Sequence, residues 1–358
     1  MIIRMLQRAI ITLIFVSNSM AYFGENRPPI VNHFENKSSL ASKTDIESVI
    51  NKQSPVRSQG QRGACTMFTT IGLIESYLIG NGISSKSIDL SEEWMQYTIM
   101  RNKETEGSST SKNLREVLNS GVVYENTWPY LGKKWLTLDD YVESRQTCEH
   151  LEGNVSLLKR CLLGHRDPRL YDMPVHQLIE VDPKFEAIRS EAMLLKDQLI
   201  KNLYKKKSSY RVKTTAKIRE LLIQGKPLIM GTKLYYGSWN SSKVETYDIQ
   251  PRDKDTWYQG IVGYPEVGSR DREISAVNGG GHSITIVGYD DDVIVKTNML
   301  MTDGSTKEFS YKGVYYFKNS WGVKGFGKKF ILNNRSYPGY GMITQKYANE
   351  FGTFYSIE

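Results

Sequence analysis

The sequence predicts an α+β protein with two lobes, one helical and formed early in the chain, the other rich in β-strands. Apolar residues recur at helical spacing over residues 67–79. A break at residues 225–227 precedes a short apolar run at 228–231 that is typical of a buried strand. Two later segments have the β-branched and aromatic content of strands, residues 283–289 and 313–319. A cleft between two such lobes is a usual place for a functional site.

The composition indicates a folded globular protein of 358 residues, with 39% hydrophobic and 11% aromatic residues. The formal net charge is +8, and Arg4 and Arg8 contribute two of these charges. Apart from Lys205-Lys206-Lys207, no basic run stands out and none is interleaved with aromatic residues, so we predict no nucleic-acid partner. The positive charge is interpreted as a property of the surface.

The first 21 residues have the pattern of a cleaved secretory signal. A basic start precedes an apolar stretch at residues 9–16, and Ser19-Met20-Ala21 ends the segment in small-x-small form. The apolar stretch is too short to span a bilayer, although a short membrane anchor is an alternative. We therefore predict an exported protein, secreted or periplasmic, with no membrane span in the mature chain. Residues 22–52 are predicted to form an irregular arm on the surface.

Residues 53–132 are predicted to form the helical lobe. The helix over residues 67–79 is expected to end at Gly80-Asn81-Gly82. A second helix is expected to begin at Ser91, because a capping residue there is followed by two carboxylates. A third is expected over residues 111–119, stopped by Gly121.

A charged segment, residues 133–215, separates this lobe from the β-rich lobe at residues 216–358. It carries Cys148 and Cys161, and three of the five histidines of the chain. The two cysteines are predicted to form a disulfide. A zinc site is the alternative, but the closely spaced cysteine pair of structural zinc sites is missing, so no metal is predicted. Cys65 is then the odd thiol of an exported protein, which indicates a reactive cysteine.

Cys65 follows a loop rich in Gln and Gly, Ser58 to Gly63, and lies at the start of the first predicted helix. A helix N-terminus favours a nearby negative charge, so this position is expected to lower the pKa of the thiol. A buried structural cysteine is the alternative. A nucleophilic thiol also needs a base and a group that orients the base. His282 follows three glycines at a strand start, and Asn319 ends another strand.

These three motifs together resemble the papain-like cysteine proteases, in residue type and in chain order. The motifs are Gln59 with Gly63-Ala64-Cys65, then Gly281-His282-Ser283, and then Lys318-Asn319-Ser320-Trp321-Gly322. The resemblance extends over roughly residues 53–130 and 215–331. It implies a papain-like two-lobed fold, with a helical lobe, a β-barrel-like lobe and the active-site cleft between them.

The resemblance also implies a role for each motif residue. Cys65 would attack the scissile carbonyl, and His282 would exchange protons with it as an ion pair. Asn319 would orient the imidazole, and Trp321 would shield the hydrogen bond between these two side chains. The Gln59 amide and the Cys65 backbone N–H would form the oxyanion hole. The implied reaction is hydrolysis of polypeptides through an acyl-enzyme, without a cofactor.

Several features differ from the family pattern. Thr66 stands where an aromatic residue is usual, Arg62 stands where a disulfide cysteine is usual, and residues 107–109 lack the usual glycine pair. The distance from Cys65 to His282 is about 70 residues longer than the roughly 130–150 expected. We therefore predict that residues 133–215 are an insertion between the lobes, which either covers the cleft and restricts substrates or projects outward.

Two other functions are compatible with the same motifs. The triad could transfer the acyl group to an amine or hydrolyse a non-protein amide, since the acyl-enzyme step is shared. Alternatively, the chain could be a catalytically inactive binding protein on the same scaffold. No oligomeric state is predicted.

Overall fold

The structure is a computed structural model, and it describes residues 41–358. The predicted signal at residues 1–21 and residues 22–40 of the predicted arm lie outside this range. The helices are α1 (Ile46–Ile50), α2 (Cys65–Gly80), α3 (Glu92–Met100), α4 (Thr110–Ser120), α5 (Val142–Cys148), α6 (Val155–Gly164), α7 (Val175–Val181), α8 (Pro183–Leu195), α9 (Thr215–Ile223), α10 (Lys243–Thr246), α11 (Lys254–Gln259), α12 (Arg270–Asn278) and α13 (Gln345–Phe351). The strands are β1 (Arg211–Val212), β2 (Leu228–Lys233), β3 (Ile261–Val262), β4 (Gly281–Leu300), β5 (Thr306–Lys318), β6 (Ile331–Leu332), β7 (Arg335–Ser336), β8 (Tyr340–Thr344) and β9 (Thr353–Tyr355).

The helical lobe is built around α2, which is buried over most of its length and packs against α3 and α4. The predicted capping residue Ser91 precedes α3, and its hydroxyl accepts a hydrogen bond from the Trp94 backbone N–H at 3.0 Å. Gly121 ends α4 with a φ of 70°, a backbone conformation that favours glycine. The three helices predicted for this lobe are therefore confirmed, with boundaries that differ by one or two residues.

The predicted irregular arm contains a short helix in its described part. α1 begins after Asp45, whose carboxylate accepts a hydrogen bond from the Ser48 backbone N–H. Ile46 and Val49 are buried against the sheet, at a place where Gly288 leaves room for the Ile46 side chain. The prediction of a wholly irregular surface arm was wrong here, because two apolar residues anchor the segment.

A seven-stranded sheet forms the core of the β-rich lobe in the described part of the chain. Its strand order is β1-β9-β2-β4-β5-β8-β3, and the β3–β8 pair alone is parallel. β1 and β3, each two residues long, lie at opposite edges, so this sheet is open and does not close into a barrel. The predicted α+β class with a helical and a β-rich lobe is confirmed, whereas the expected barrel-like closure is absent from these strands.

The register of the long hairpin β4–β5 brings two motif residues to the same end of the sheet. β4 and β5 are antiparallel, with Thr285 opposite Lys318. His282 is near the beginning of β4, and Asn319 follows the last residue of β5. Because the start of one antiparallel strand lies beside the end of its neighbour, the two side chains meet although they are 37 residues apart in sequence.

Residues 133–215 pack on the helical lobe. α6 lies against α3, and an aromatic cluster joins the two parts, with Phe185 packed against Trp94 and Tyr97. Tyr204 and Tyr210 are buried in the same core as residues of α2. The segment therefore supplies part of the helical lobe's core. Within residues 41–358, no helix is both long enough and apolar enough to cross a membrane.

Candidate active site

The loop before α2 is closed by hydrogen bonds of Gln59, which is buried. Its side-chain Nε2 donates to the Arg62 carbonyl oxygen at 2.8 Å, and its Oε1 accepts from the Ser320 hydroxyl at 2.7 Å. Its backbone N–H donates to the Ser320 carbonyl at 2.9 Å. Both ends of the amide are therefore fixed, one by the helical lobe and one by the β-rich lobe. An amide nitrogen carries two hydrogens, and the bond to Arg62 uses one of them.

Cys65 is the first residue of α2 and a free thiol. The residue before it, Ala64, has no side chain that could cap the helix. The first backbone N–H groups of a helix have no partner within the helix, so an uncapped start leaves donors available for an anion. The helix start predicted from the sequence is thus present, and it follows Arg62, whose carbonyl holds the Gln59 amide, by three residues.

Burial raises the pKa of the Cys65 thiol to about 11. Hydrogen bonds from the Ser283, Thr66 and Cys65 backbone N–H groups favour the thiolate and lower the pKa, but their effect is smaller than that of desolvation. The direction is opposite to the one expected from the helix N-terminus alone. Burial of the thiol therefore favours its neutral form in this structure.

His282 and Asn319 share a buried hydrogen bond, with 2.9 Å between His282 Nε2 and Asn319 Oδ1. The same Oδ1 accepts from the Ser320 backbone N–H at 2.8 Å, which fixes this atom as the amide oxygen. His282 Nε2 must then carry a hydrogen, so in the neutral imidazole Nδ1 has the free lone pair. The arrangement selects the tautomer in which Nδ1 can accept a proton.

Two tryptophans enclose the imidazole of His282, whose residue is only 2% exposed. The Trp321 ring stacks on it with centroids 4.3 Å apart, and the Trp239 ring lies edge-on at 5.6 Å. Burial lowers the pKa of His282 to about 4, although the hydrogen bond with Asn319 acts in the opposite direction. Taken with the raised pKa of Cys65, this favours a neutral thiol and imidazole over the ion pair that the resemblance implied.

Hydrogen bonds also join the two lobes around these side chains. The Thr69 hydroxyl, one turn after Cys65, lies 2.8 Å from the Ser283 hydroxyl. It also donates a hydrogen bond to the Cys65 carbonyl. Ser58 and Trp321 form an antiparallel bridge across the same junction. The first contact fixes α2 against the start of β4, and the second joins the loop before α2 to the residues after β5.

A network of buried charged side chains connects α2 with the last residue of β5. Glu75 in α2 accepts hydrogen bonds from Arg57 and from the Ser54 hydroxyl, and Ser54 in turn accepts from the Lys318 ammonium at 3.0 Å. Burial lowers the pKa of Lys318 to about 8, although the nearby Glu75 carboxylate raises it. Because Lys318 precedes Asn319, this network anchors the end of β5 to the helical lobe.

Three sets of contacts thus meet where the lobes join. Gln59 contacts Ser320, and the Cys65 thiol contacts the Ser283 backbone. His282, which precedes Ser283, contacts Asn319 and Trp321. The sequence predicts no role for three residues that support these contacts, Trp239, Thr69 and Ser320. Ser320 lies inside a recognised motif, so its position could have been noticed. Trp239 and Thr69 have no such signal, because their contacts depend on how the lobes pack.

The cysteines and histidines of residues 133–215 have other partners. Cys148 and Cys161 form a disulfide with an S–S distance of 2.01 Å. His150 pairs with Asp167 at 2.8 Å, and His165 lies 2.8 Å from Glu93. No three His, Cys, Asp or Glu side chains within residues 41–358 are grouped closely enough to hold a metal ion.

Comparison with solved structures finds similar chains among the cysteine proteases. Xylellain, a cysteine protease from Xylella fastidiosa, is 16% identical, with 93% of this chain and 91% of that chain covered and a TM-score of 0.48. A digestive procathepsin L 3 from the larval midgut of Tenebrio molitor is 16% identical, with coverages of 92% and 73% and a TM-score of 0.44. The ragweed pollen allergen Amb a 11, in its proform, is 15% identical, with coverages of 94% and 73% and a TM-score of 0.46.

Comparison at the level of sequence gives one family. No curated protein matches the chain significantly. Residues 40–166 match the model of the papain family of cysteine proteases, and this range includes Gln59 and Cys65. The resemblance to the papain-like cysteine proteases that the sequence motifs indicated is therefore confirmed.

Proposed function

We propose that the protein is an exported cysteine peptidase that hydrolyses peptide bonds through Cys65, His282 and Asn319. The observation that carries this proposal is the buried hydrogen bond between His282 Nε2 and Asn319 Oδ1, because it leaves Nδ1 as the basic nitrogen. The free thiol of Cys65 lies at an uncapped helix start and is hydrogen-bonded to the backbone of Ser283, the residue after His282. A thiol and a base held in one tautomer are the groups that nucleophilic catalysis requires.

In the first half of the reaction, the Cys65 proton moves to Nδ1 of His282 as Sγ attacks the carbonyl carbon of the scissile bond. The electron pair of the C=O double bond moves to the oxygen. The oxyanion accepts hydrogen bonds from the Cys65 backbone N–H and from the second hydrogen of Gln59 Nε2. Collapse of this intermediate breaks the C–N bond, and the leaving amine takes the proton from His282, which gives a thioester on Cys65.

In the second half, a water molecule gives a proton to Nδ1 of His282 and attacks the thioester carbonyl. The same two donors stabilise the second oxyanion. Its collapse releases the carboxylic acid product, and the Cys65 sulfur recovers its proton from the imidazolium. In both halves, the imidazolium of His282 exists only while the oxyanion of the intermediate is present. Burial disfavours either charge alone, so this pairing is favourable in a buried site.

The enclosing side chains have a consistent role in this proposal. Trp321 stacks on the imidazole and Trp239 covers its edge, so water is kept from the His282–Asn319 hydrogen bond. A hydrogen bond in a site of low dielectric constant is stronger than one exposed to water. The orientation of His282 is then maintained while its charge changes.

Labelling with an epoxide-type thiol-directed inhibitor, followed by mass spectrometry, tests the proposal together with a peptide cleavage assay. We expect one adduct on Cys65 in the folded, reduced protein, cleavage of a peptide mixture, and loss of both in Cys65→Ala. Labelling without cleavage of peptides would replace the proposal with transfer of an acyl group or hydrolysis of a non-protein amide. The absence of both would indicate an inactive binding protein.

Export is a separate part of the proposal and has its own test. It rests on the pattern of residues 1–21 and is consistent with the disulfide between Cys148 and Cys161, since such bonds persist in oxidising compartments. We expect the exported protein to begin at Tyr22 when its N-terminus is sequenced. A product that retains the first 21 residues would contradict a cleaved signal.

A further inference from the structure

Arg62 is a charged residue that is buried, since it is only 2% exposed. Its Nη1 donates to both carboxylate oxygens of Glu93, at 2.9 and 2.7 Å, and to the Leu131 carbonyl at 3.2 Å. Its Nη2 donates to the Leu163 carbonyl at 2.6 Å. The guanidinium also lies over the Tyr130 ring. So many fixed partners leave the side chain one position.

Glu93 and His165 complete a buried cluster around this guanidinium. His165 Nδ1 lies 2.8 Å from Glu93, so it donates to the carboxylate. Burial alone would raise the pKa of Glu93, but Arg62 and His165 more than offset this effect and the pKa is lowered. The Trp135 ring lies against the imidazole, with centroids 3.9 Å apart and the two planes tilted by 33°. The carboxylate is therefore ionised and paired on both sides.

The backbone of Arg62 connects this cluster with the candidate oxyanion hole. The Arg62 carbonyl is the acceptor for Gln59 Nε2, and its backbone N–H donates to the Gln59 carbonyl. The orientation of the Gln59 amide thus depends on where the Arg62 carbonyl lies. The contacts of the Arg62 guanidinium also restrain the backbone of this residue. A substitution that removes these contacts would therefore let the Arg62 carbonyl shift.

Three residues of the cluster, Trp135, Leu163 and His165, belong to residues 133–215. Leu163 and His165 lie at the end of α6, where His165 has a φ of 57° and so turns the chain sharply. Cys161 in the same helix is bonded to Cys148 at the end of α5. The segment that follows the helical lobe in sequence therefore contacts the loop that carries Gln59.

We infer that Arg62 is a positioning residue for the oxyanion hole, and that residues 133–215 hold it in place through the Leu163 carbonyl and His165. The inference deepens the proposed function and rests on it, since it concerns how Gln59 meets the developing oxyanion. It also gives these residues a role in catalysis that does not require them to cover the cleft.

The test compares two reactions of the same thiol in wild-type protein and in Arg62→Met. Hydrolysis of a peptide amide needs the oxyanion hole, whereas alkylation of Cys65 by iodoacetamide displaces iodide and forms no oxyanion. We expect Arg62→Met to lower kcat for the peptide by about 10- to 100-fold, somewhat less than loss of a whole donor, with KM changed less than about threefold. The alkylation rate should change less than about twofold, because the thiol and His282 are unmoved.

Three further variants complete the experiment. The double variant Arg62→Met/Glu93→Gln removes both members of the ion pair, so no buried carboxylate is left unpaired. It should show the same selective fall in kcat. Arg62→Lys should recover part of kcat, since an ammonium can pair with Glu93 but cannot reproduce the planar fork. Lys133→Met, at an exposed ion pair nearby, should behave as wild type.

The outcomes separate this inference from the proposed function. Peptide hydrolysis that is unchanged in both Arg62→Met and the double variant would overturn the inference and leave the proposed function intact. Equal losses of hydrolysis and alkylation in the folded double variant would also overturn it, because they would indicate a disturbed thiol. A wild-type protein that is alkylated at Cys65 but cleaves no peptide would instead contradict the proposed function.

Discussion

At the scale of single residues, the side chain of Gln59 is hydrogen-bonded to both lobes. Its amide oxygen is held by Ser320 and its nitrogen by the Arg62 carbonyl, so the amide cannot turn without breaking a buried hydrogen bond. Such preorganisation is what gives an oxyanion donor its value, because no reorganisation is needed when the charge develops.

Gln59→Ala is therefore expected to lower kcat by about 10²–10³-fold, with a much smaller change in KM. The matched control is Gln61→Ala, which removes an exposed amide from the same loop and should leave kcat unchanged. Steady-state hydrolysis of a peptide substrate measures both. A fall of less than about threefold in Gln59→Ala would show that this amide is not an oxyanion donor.

His282 gives a second prediction, on the pH dependence of stability. Its pKa is about 4 in the folded protein, against an ordinary value of 6.5, because of burial. Between these values the unfolded chain binds a proton that the folded protein does not, so the free energy of unfolding falls as the pH falls from 6.5 to 4. The loss attributable to this group reaches about 3 kcal/mol at and below pH 4.

Denaturant unfolding of wild-type protein and His282→Gln between pH 4 and 7 measures this contribution. The difference in free energy of unfolding between the two proteins should change by about 3 kcal/mol across the range, with wild type losing more towards acid pH. Parallel profiles would mean that the imidazole is already protonated in the folded protein, as in a resting thiolate–imidazolium pair.

At the scale of elements, the site depends on one strand pairing and one helix start. The antiparallel register of β4 and β5 places His282 beside Asn319, and α2 is fixed against β4 through the contact between Thr69 and Ser283. The strand pair β4–β5 places His282 and Asn319, and α2 places Cys65. The site forms only when α2 packs against this strand pair. The hydrogen bonds between the lobes are therefore as important to the site as the motifs.

The disulfide between α5 and α6 is expected to stabilise the protein by restricting the unfolded chain. Cys148 and Cys161 are 13 residues apart, and closing a loop of this length contributes about 3 kcal/mol in the chain-entropy model. Replacing both by Ser in a Cys65→Ala background should lower the free energy of unfolding by about this amount. Cys65→Ala alone is the control, and a loss below about 0.5 kcal/mol would contradict the expectation.

The sequence predicted the secondary structure around the site well, and it predicted the supports of the site poorly. His282, Asn319 and Cys65 could be recognised because each lies at the end of an element with a strong local pattern. The partners of Arg62 could not, since Glu93 and His165 are 31 and 103 residues away and no local signal joins them. The open sheet was also missed, because strand order depends on long-range pairing.

At the scale of the whole molecule, the two lobes are held together by a buried charge network rather than by apolar packing alone. Glu75 of the helical lobe pairs with Arg57 at 3.0 Å and is linked through Ser54 to Lys318 of the β-rich lobe. Buried charges are costly unless they are paired, so the network penalises any separation of the lobes that breaks it.

Glu75→Leu is expected to lower the free energy of unfolding by about 3 kcal/mol or more, because Lys318 would keep a buried charge without its carboxylate. Glu220→Gln removes an exposed partner of Lys217 and should change stability by less than about 0.5 kcal/mol. Denaturant unfolding at pH 7 measures both. Similar effects of the two substitutions would show that the network does not stabilise the interface.

Cys65 is proposed to form an acyl-enzyme with the help of His282, and rapid mixing with an activated ester measures this step. We expect a burst of leaving group equal to the enzyme concentration, with an acyl adduct located on Cys65 by mass spectrometry after an acid quench. Cys65→Ala should give no burst, and His282→Gln should form the adduct far more slowly. Hydrolysis of the ester by folded wild-type protein without an adduct on Cys65 would exclude the proposed acyl-enzyme.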